Sequence, residues 1–259
     1  MKLLSLSSHN NIGLALSGGG ARGFAHVGVL LAFEKFDIKP KIISGVSAGS
    51  IVAALYGAGL KPLDILKCLT DSKFGDFTEW TLPKASIFRL TRFAKHLESW
   101  LPIKNLEETE IRVVICATDF DNGKSVGWRK GEIVPRVVAS CSIPIIFSPV
   151  KINGVNYVDG GVLRNLPAWA IRNNCSVLVG SNVSPLDRSY KYRKSIVGIA
   201  MRTFNLMSTA NSLQDIQMCD VLIQTEQLSK YSTFDINSMK KITTHGYDCA
   251  CKALEKFLL

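Results

Sequence analysis

Two hydrophobic periods alternate at the start of the chain, and no other feature constrains the fold as tightly. "IGLALS" (12–17) has the continuous apolar character of a buried strand. After a glycine turn, "GFAHVGVLLAFEKF" (23–36) reads as a helix, "PKIISG" (40–45) as a second strand and "GSIVAALYGAGL" (49–60) as a second helix. A strand–helix–strand–helix opening predicts parallel pairing, because a crossover separates the two strands. Further strands are predicted at "IRVVICATDF" (111–120), at "KSVGW" (124–128) after "DNG", at "IIFSPVKI" (145–152) paired across "NG" with "VNYVDGG" (155–161), at "SVLVGSNV" (176–183) and at "DVLIQT" (220–225). Helices are predicted over 131–140, 167–174, 195–218 and 239–257. The fold class is therefore α/β, with a mainly parallel central sheet covered on both faces. No repeat, low-complexity segment or linker interrupts residues 1–259, which read as one domain.

With 47% of its residues hydrophobic, the chain can build a sizeable core. A net charge of +10 favours an anionic partner, whether nucleic acid, an anionic membrane or a charged metabolite. Nucleic acid is not expected, since the basic residues are dispersed and no nucleic-acid motif is present. Seven cysteines form no CxxC pair, and several sit in apolar segments such as "VVICAT" and "NNCSVLVG", as buried free thiols in a reducing compartment do. The opening "MKLLSLSSHNN" has an apolar stretch too short for a secretory signal, and no uncharged run approaches the ~20 residues of a spanning helix. The expected location is the cytoplasm, with peripheral membrane contact left open. In "KASIFRLTRFAKHLESWLP" (84–102), Ile87, Leu90, Phe93, Leu97 and Leu101 recur at helical spacing opposite Lys84, Arg89, Arg92 and Lys95. Such a basic amphipathic helix can lie on a membrane, but packing onto the sheet or over a site mouth is the favoured reading.

Chemistry concentrates in three stretches. "GVSAGS" places Ser47 between a strand and a helix, with Gly45 and Gly49 two residues to either side, as in a G-x-S-x-G nucleophile elbow; the plainer alternative is a glycine-rich loop with an N-capping serine. Side chains at Gly45 or Gly49 would collide where turn and helix approach. "LSGGGARGFAHVG" (16–28) contains Gly18, Gly20 and Gly23 at dinucleotide-fingerprint spacing, yet no acid ends the second strand and no G-K-[ST] follows, so neither a Rossmann nor a Walker reading holds. The amides of Gly18, Gly19 and Gly20 ahead of a helix are suited to a developing oxyanion, and Arg22 either braces the loop or meets a lipid phosphate.

The nucleophile needs a base. His9, His26 and His96 read as solvated or structural, and His245 follows a Ser…Asp…His order although "TTHGYDC" looks like an ordinary helix opening. The stronger candidate is Asp159 in "YVDGGVLRNLP", ending a strand before Gly160 and Gly161, with Asn165 and Pro167 reading as a helix N-cap and early helix position. If the strands carrying Ser47 and Asp159 run side by side, both side chains emerge at one edge of the sheet. Taken alone, Asp-Gly-Gly is only a turn.

Taken together and in this order, "GGGARG", "GVSAG" and "DGG", with the connecting "SCSIPIIFSPVKINGVNYVDGGVLRNLP", resemble the patatin-like phospholipase family over about residues 12–182. The resemblance implies a three-layer α/β/α sandwich, with residues 183–259 completing the sheet and helical layer. It implies Ser47 as nucleophile, Asp159 as its dyad partner, and Gly18, Gly19, Gly20 and Arg22 as the oxyanion loop, supported by Gly23, Gly45, Gly49, Gly160 and Gly161. The implied activity is hydrolysis of fatty-acyl esters of phospholipids or lysophospholipids through an acyl-serine, with no metal or cofactor. Plant members usually carry Asp before the glycines; here the residue is Ser17, as in many bacterial members. An acyltransferase using the same dyad, and a nucleotide-binding or regulatory protein without turnover, are the competing readings.

Overall fold

The computed structural model describes residues 11–70, 79–80, 88–186, 192, 194–233, 235 and 237–258. The opening ten residues with His9, and Lys84, Ile87 and the Arg89 side chain in the basic amphipathic stretch, lie outside the described set.

An eight-stranded sheet organises the chain. Its strands are β1 (Ile12–Leu16), β2 (Ile42–Val46), β5 (Arg112–Asp119), β6 (Lys124–Trp128), β7 (Val150–Ile152), β8 (Val155–Asp159), β9 (Val177–Ser181) and β10 (Val221–Ile223). The short pair β3 (Glu79–Trp80) and β4 (Phe88–Arg89) stands apart. The order β10-β9-β1-β2-β5 is parallel throughout, and β6, β8 and β7 are antiparallel additions at the far side. The pattern follows from composition: every residue of β1, β2 and β9 is buried, as continuous apolar runs covered on both faces must be, whereas β6 is exposed or half-buried along its length. The β7–β8 hairpin turns on Asn153 and Gly154, both at positive φ, as the two-residue turn expected from "NG" requires.

One face of the sheet carries a thick layer made of α1 (Phe24–Lys35), α2 (Ala48–Gly57), α3 (Pro62–Thr70), α4 (Thr91–Trp100) and α5 (Ile133–Ser140), with α8 (Met239–Leu258) beyond them. Leu14, Leu16 and Ile43 point into this layer, while Ala15, Ile42 and Val46 point to the other side. α1 is apolar all round because the sheet takes one flank and α8 the other; Gly28 and Gly246 let these two helices approach to backbone contact. α4 buries Phe93 and Leu97 and exposes Arg92 and Lys95, so its apolar stripe is spent on the core, as the packed reading expected.

The opposite layer is thinner than expected. In place of a helix over 167–174 there are two 3₁₀ turns, Pro167–Ala170 and Arg172–Asn174, which lay Leu166, Ala168 and Ile171 on the sheet. Ile171, at φ −131°, interrupts any continuous helix between them, and Asn165 caps neither: its side-chain nitrogen donates to Gly18 O at 3.5 Å and its backbone amide to Asn211 Oδ1 at 2.9 Å. The helix expected over 195–218 divides into α6 (Ile196–Asn211) and the single turn α7 (Leu213–Ile216) at Ser212. Asp215 of α7 is buried and accepts bonds from the Trp169 amide and the Arg164 guanidinium, pinning this layer in place. Among the described residues no helix is long and apolar enough to cross a membrane.

Candidate active site

β2 ends at Val46 and α2 begins at Ala48, leaving Ser47 alone to turn the chain, at φ 50° and ψ −124°. A non-glycine residue in that region carries strain of roughly 1–3 kcal/mol and persists only where its surroundings fix it. Here they do. The Ser47 amide donates to Ser140 Oγ at 2.8 Å, and that hydroxyl donates onward to Cys116 O of β5 at 2.6 Å. On the other side, Ser47 O accepts the Ser50 amide at 2.8 Å and its hydroxyl at 2.6 Å. A β-carbon at Gly45 would press 2.6 Å from Ser50 Cα, and one at Gly49 would strike the end of β1, 2.6 Å from the Leu16 carbonyl carbon, and Ser17 O just beyond it at 2.7 Å. Ser47 is 8% exposed at the positive end of α2.

Asp159 arrives from the opposite direction. β6 occupies one edge of β5 over Ile115–Asp119, so β2 and β8 share the other: Val46 pairs with Cys116, and Asp159 pairs with the next residue, Ala117. The strands holding Ser47 and Asp159 therefore meet end to end along β5 instead of running side by side. Gly160 permits this, since a side chain there would press on Val46 and on Cys116 O. Asp159 is fully buried; its amide donates to Ser142 O at 2.9 Å, and its Oδ1 accepts the Gly161 amide at 2.8 Å. Oδ2 is buried with no partner at hydrogen-bond geometry. Burial pushes this carboxyl up to about 7, opposed by the neighbouring Ser47 hydroxyl and by the hydrogen bond from the Gly161 amide.

The glycine loop leaves β1 beside this junction and passes through a 3₁₀ turn, Gly20–Gly23, into α1. A β-carbon at Gly18 would sit 3.2 Å from Ser47 Cβ, so the loop lies directly against the elbow. Its amides are not equivalent: that of Gly18 donates to Asn165 O at 3.2 Å, whereas among the described residues those of Gly19 and Gly20 have no partner. Ser17 is buried, and its hydroxyl both donates to Gly18 O and accepts the Val183 amide at 2.9 Å, a double role that a carboxylate cannot fill. Ser184 Oγ also donates to Gly18 O, at 2.6 Å. Arg22 is 8% exposed and its Nε donates to Tyr231 O at 3.0 Å, which is the bracing arrangement of the two roles considered for it. Gly23 packs on Ala48 Cβ, joining loop to elbow, and Gly161 packs on the Phe204 ring.

His26 and His245 are engaged elsewhere. His26 Nε2 faces Ser17 O and must carry the proton, so Nδ1 accepts from Ser181 Oγ at 2.9 Å; burial drops its pKa to about 4, leaving it neutral. His245 Nε2 meets Tyr231 Oη at 3.1 Å. Sequence reasoning passed over Ser140, Ser142, Ser184 and Asn211, whose partners lie 93 and 166 residues away for the elbow amide and Gly18 carbonyl; no local pattern marks them. Cys116, Cys175 and Cys251 are buried, and all seven cysteines are free. Among the described residues no three acidic, Cys or His side chains cluster to hold a metal.

Comparison with known proteins converges on one family. The patatin-like phospholipase profile matches residues 14–171. An uncharacterized NTE family protein of Mycobacterium tuberculosis is 32% identical over 165 residues, covering 62% of this chain and 45% of that protein. Lysophospholipase NTE1 of Candida albicans is 27% identical over 232 residues, covering 84% of this chain and 17% of its own length. The chain thus spans less than half of these curated relatives. VipD of Legionella pneumophila shares the fold at a TM-score of 0.54 and 14% identity, over 95% of this chain and 67% of that one. Matched by the profile over more than half of its length, the chain belongs to the patatin-like phospholipase family.

Proposed function

We propose that the chain is a lipid acyl hydrolase of phospholipase or lysophospholipase type, working through a Ser47–Asp159 dyad. The observation that carries this reading is the Asp159 carboxyl: buried, with one oxygen lacking a partner, poised near pH 7 and acted on by the Ser47 hydroxyl. A general base is most effective with its pKa near the working pH. In the proposed sequence Asp159 takes the Ser47 proton as Oγ attacks the acyl carbonyl, and the Gly19 and Gly20 amides receive the oxyanion. Gly18, whose amide is engaged with Asn165, serves to seat the loop on the elbow. The protonated Asp159 then gives its proton to the departing alcohol, leaving an acyl-serine. A water molecule, deprotonated by Asp159, attacks that ester, and the proton returns to Ser47 as the fatty acid leaves. The family and the lysophospholipase among its relatives support acyl lipids as the substrate class.

Turnover of a phospholipid and lysophospholipid panel, native against Ser47→Ala, tests the proposal. Fatty-acid release by the native chain alone, with fluorophosphonate labelling that vanishes in the variant, is expected. Labelling with acyl transfer to an added acceptor but no free acid would make the chain a transferase. No labelling and no turnover would leave a regulator.

A further inference from the structure

α6 inverts the rule for a surface helix. Its buried positions include Met201 and Ser208, while its outward face presents Ile196, Val197, Ile199, Leu206 and Met207. Ile196 is 79% exposed and Ile199 54%. Across a recess of about 400 Å³ lies Ile145, 50% exposed and held at φ 75°, a conformation that a β-branched residue adopts only under constraint. Pro144 and Phe204 complete this apolar wall. A contiguous aliphatic face of this kind on a chain surface marks an interaction site.

The charge pattern selects the partner. No Asp or Glu lies in α6, and the chain as a whole carries a net charge of +10. Lys194 is exposed directly before α6. A second copy of the chain would bring the same positive charge against itself. An anionic lipid surface offers phosphates to the cations and hydrocarbon to the aliphatics. The face is also joined to the candidate site: the Phe204 ring packs where a Gly161 side chain would be, two residues from Asp159, and Asn211 Nδ2 donates to Gly161 O at 2.9 Å.

We infer that the outward face of α6, together with Ile145, is the surface by which this protein docks on anionic phospholipid membranes, bringing the rim beside Asp159 to the interface. This extends the hydrolase reading and rests on it for its biological sense, but its test does not require turnover of lipid.

The test is co-sedimentation with vesicles of phosphatidylcholine alone and of equal parts phosphatidylcholine and phosphatidylglycerol. Native protein is expected to bind the mixed vesicles more tightly. Ile196→Ser with Ile199→Ser is expected to weaken binding by about tenfold or more, since two exposed aliphatics no longer enter hydrocarbon. Lys194→Glu is expected to weaken binding about tenfold on the anionic vesicles only. In both variants, turnover of a soluble short-chain ester stays at the native level. Ile196→Trp guards against misfolding of the double variant: its fluorescence should shift to the blue when mixed vesicles are added. Absence of native vesicle binding, unchanged binding in the double variant, or no blue shift overturns the inference. So does a change from dimer to monomer in the double variant with vesicle binding retained, which would make the face a self-interface. Vesicle binding lost in the variants of a chain that turns over no ester would leave the docking surface standing and the hydrolase reading fallen.

Discussion

Two strand-to-helix turns sit side by side at the ends of parallel neighbours β1 and β2, and they are built in opposite ways. The elbow is strained and fixed mostly from nearby: its carbonyl is held by Ser50 three residues on and its glycines are part of one five-residue motif, with a single distant support, Ser140, on its amide. The glycine loop is held from far along the chain, by Asn165, Ser184, Tyr231 and Thr233. One turn presents a side chain and is fixed chiefly by its own motif with one distant hydroxyl; the other presents backbone amides and borrows nearly all of its rigidity. Damage to the elbow should therefore strike the chemistry, and damage to the loop's distant supports should strike oxyanion placement more gently.

The largest effect is expected outside both turns, at the acid they converge on. Asp159→Asn should lower kcat by about 10³-fold or more with the fold intact. In the native chain kcat/KM should rise with pH through about 7, as the carboxyl ionises. Stability runs the other way. The folded pKa lies above the unfolded value of about 4, so the folded state holds its proton more tightly, and stability is lost as pH rises from about 4 to about 7, then levels. Asp159→Asn should remove that slope and be more stable than native at neutral pH, by a few kcal/mol at most. An Asn variant with native turnover would break the dyad, and a native melting curve flat across that pH window would break the account of the buried acid.

Next come the two serines that support the turns. Ser140→Ala strips the acceptor from the Ser47 amide and the donor from Cys116 O, leaving two buried backbone groups unpaired at about 1–3 kcal/mol each. A small displacement of the nucleophile should cut kcat by ~10²-fold with KM little changed. Ser184→Ala removes one of the hydroxyls on Gly18 O, but Ser17 and Asn165 still reach that carbonyl, so a severalfold loss in kcat is expected, about 1 kcal/mol. Steady-state kinetics of the pair sharpen the contrast between turns; equal losses would mean that loop and elbow are one unit.

The same contrast explains what was legible in the sequence. β1, β2 and β9 announced themselves as apolar runs because both faces are covered, and the elbow because strain and close packing demand glycine at two fixed positions. The "NG" hairpin was readable because positive φ at both central residues narrows the choice of residue. Asp159 was legible from its two glycines, but its approach was not: meeting β2 end to end depends on β6 claiming the other edge of β5, which nothing within "VNYVDGG" encodes. The 167–174 layer misled because Ala168, Ala170 and Ile171 have apolar spacing that fits a helix and a pair of 3₁₀ turns alike, and packing on the sheet decided. Ser140 and Ser184 were invisible, since a hydroxyl's partner a hundred residues away leaves no local trace.

The smallest expected effect is at His245, and it separates a dyad from a triad. Its ring is committed to Tyr231 Oη, and the Tyr231 backbone carbonyl in turn takes Arg22 Nε, so the imidazole touches the glycine loop only through a tyrosine and an arginine. His245→Ala should cost about 0.5–1.5 kcal/mol of stability for one partly buried hydrogen bond and leave kcat near native. Conversely, if His245 served as the base, removing it would match the loss in Asp159→Asn, and the rise of kcat/KM through pH 7 would belong to an imidazole. Measured side by side, the pH profile of His245→Ala decides between the two: under the proposed dyad it should keep the native inflection, because there the proton taken from Ser47 goes to a carboxyl held near 7 by burial.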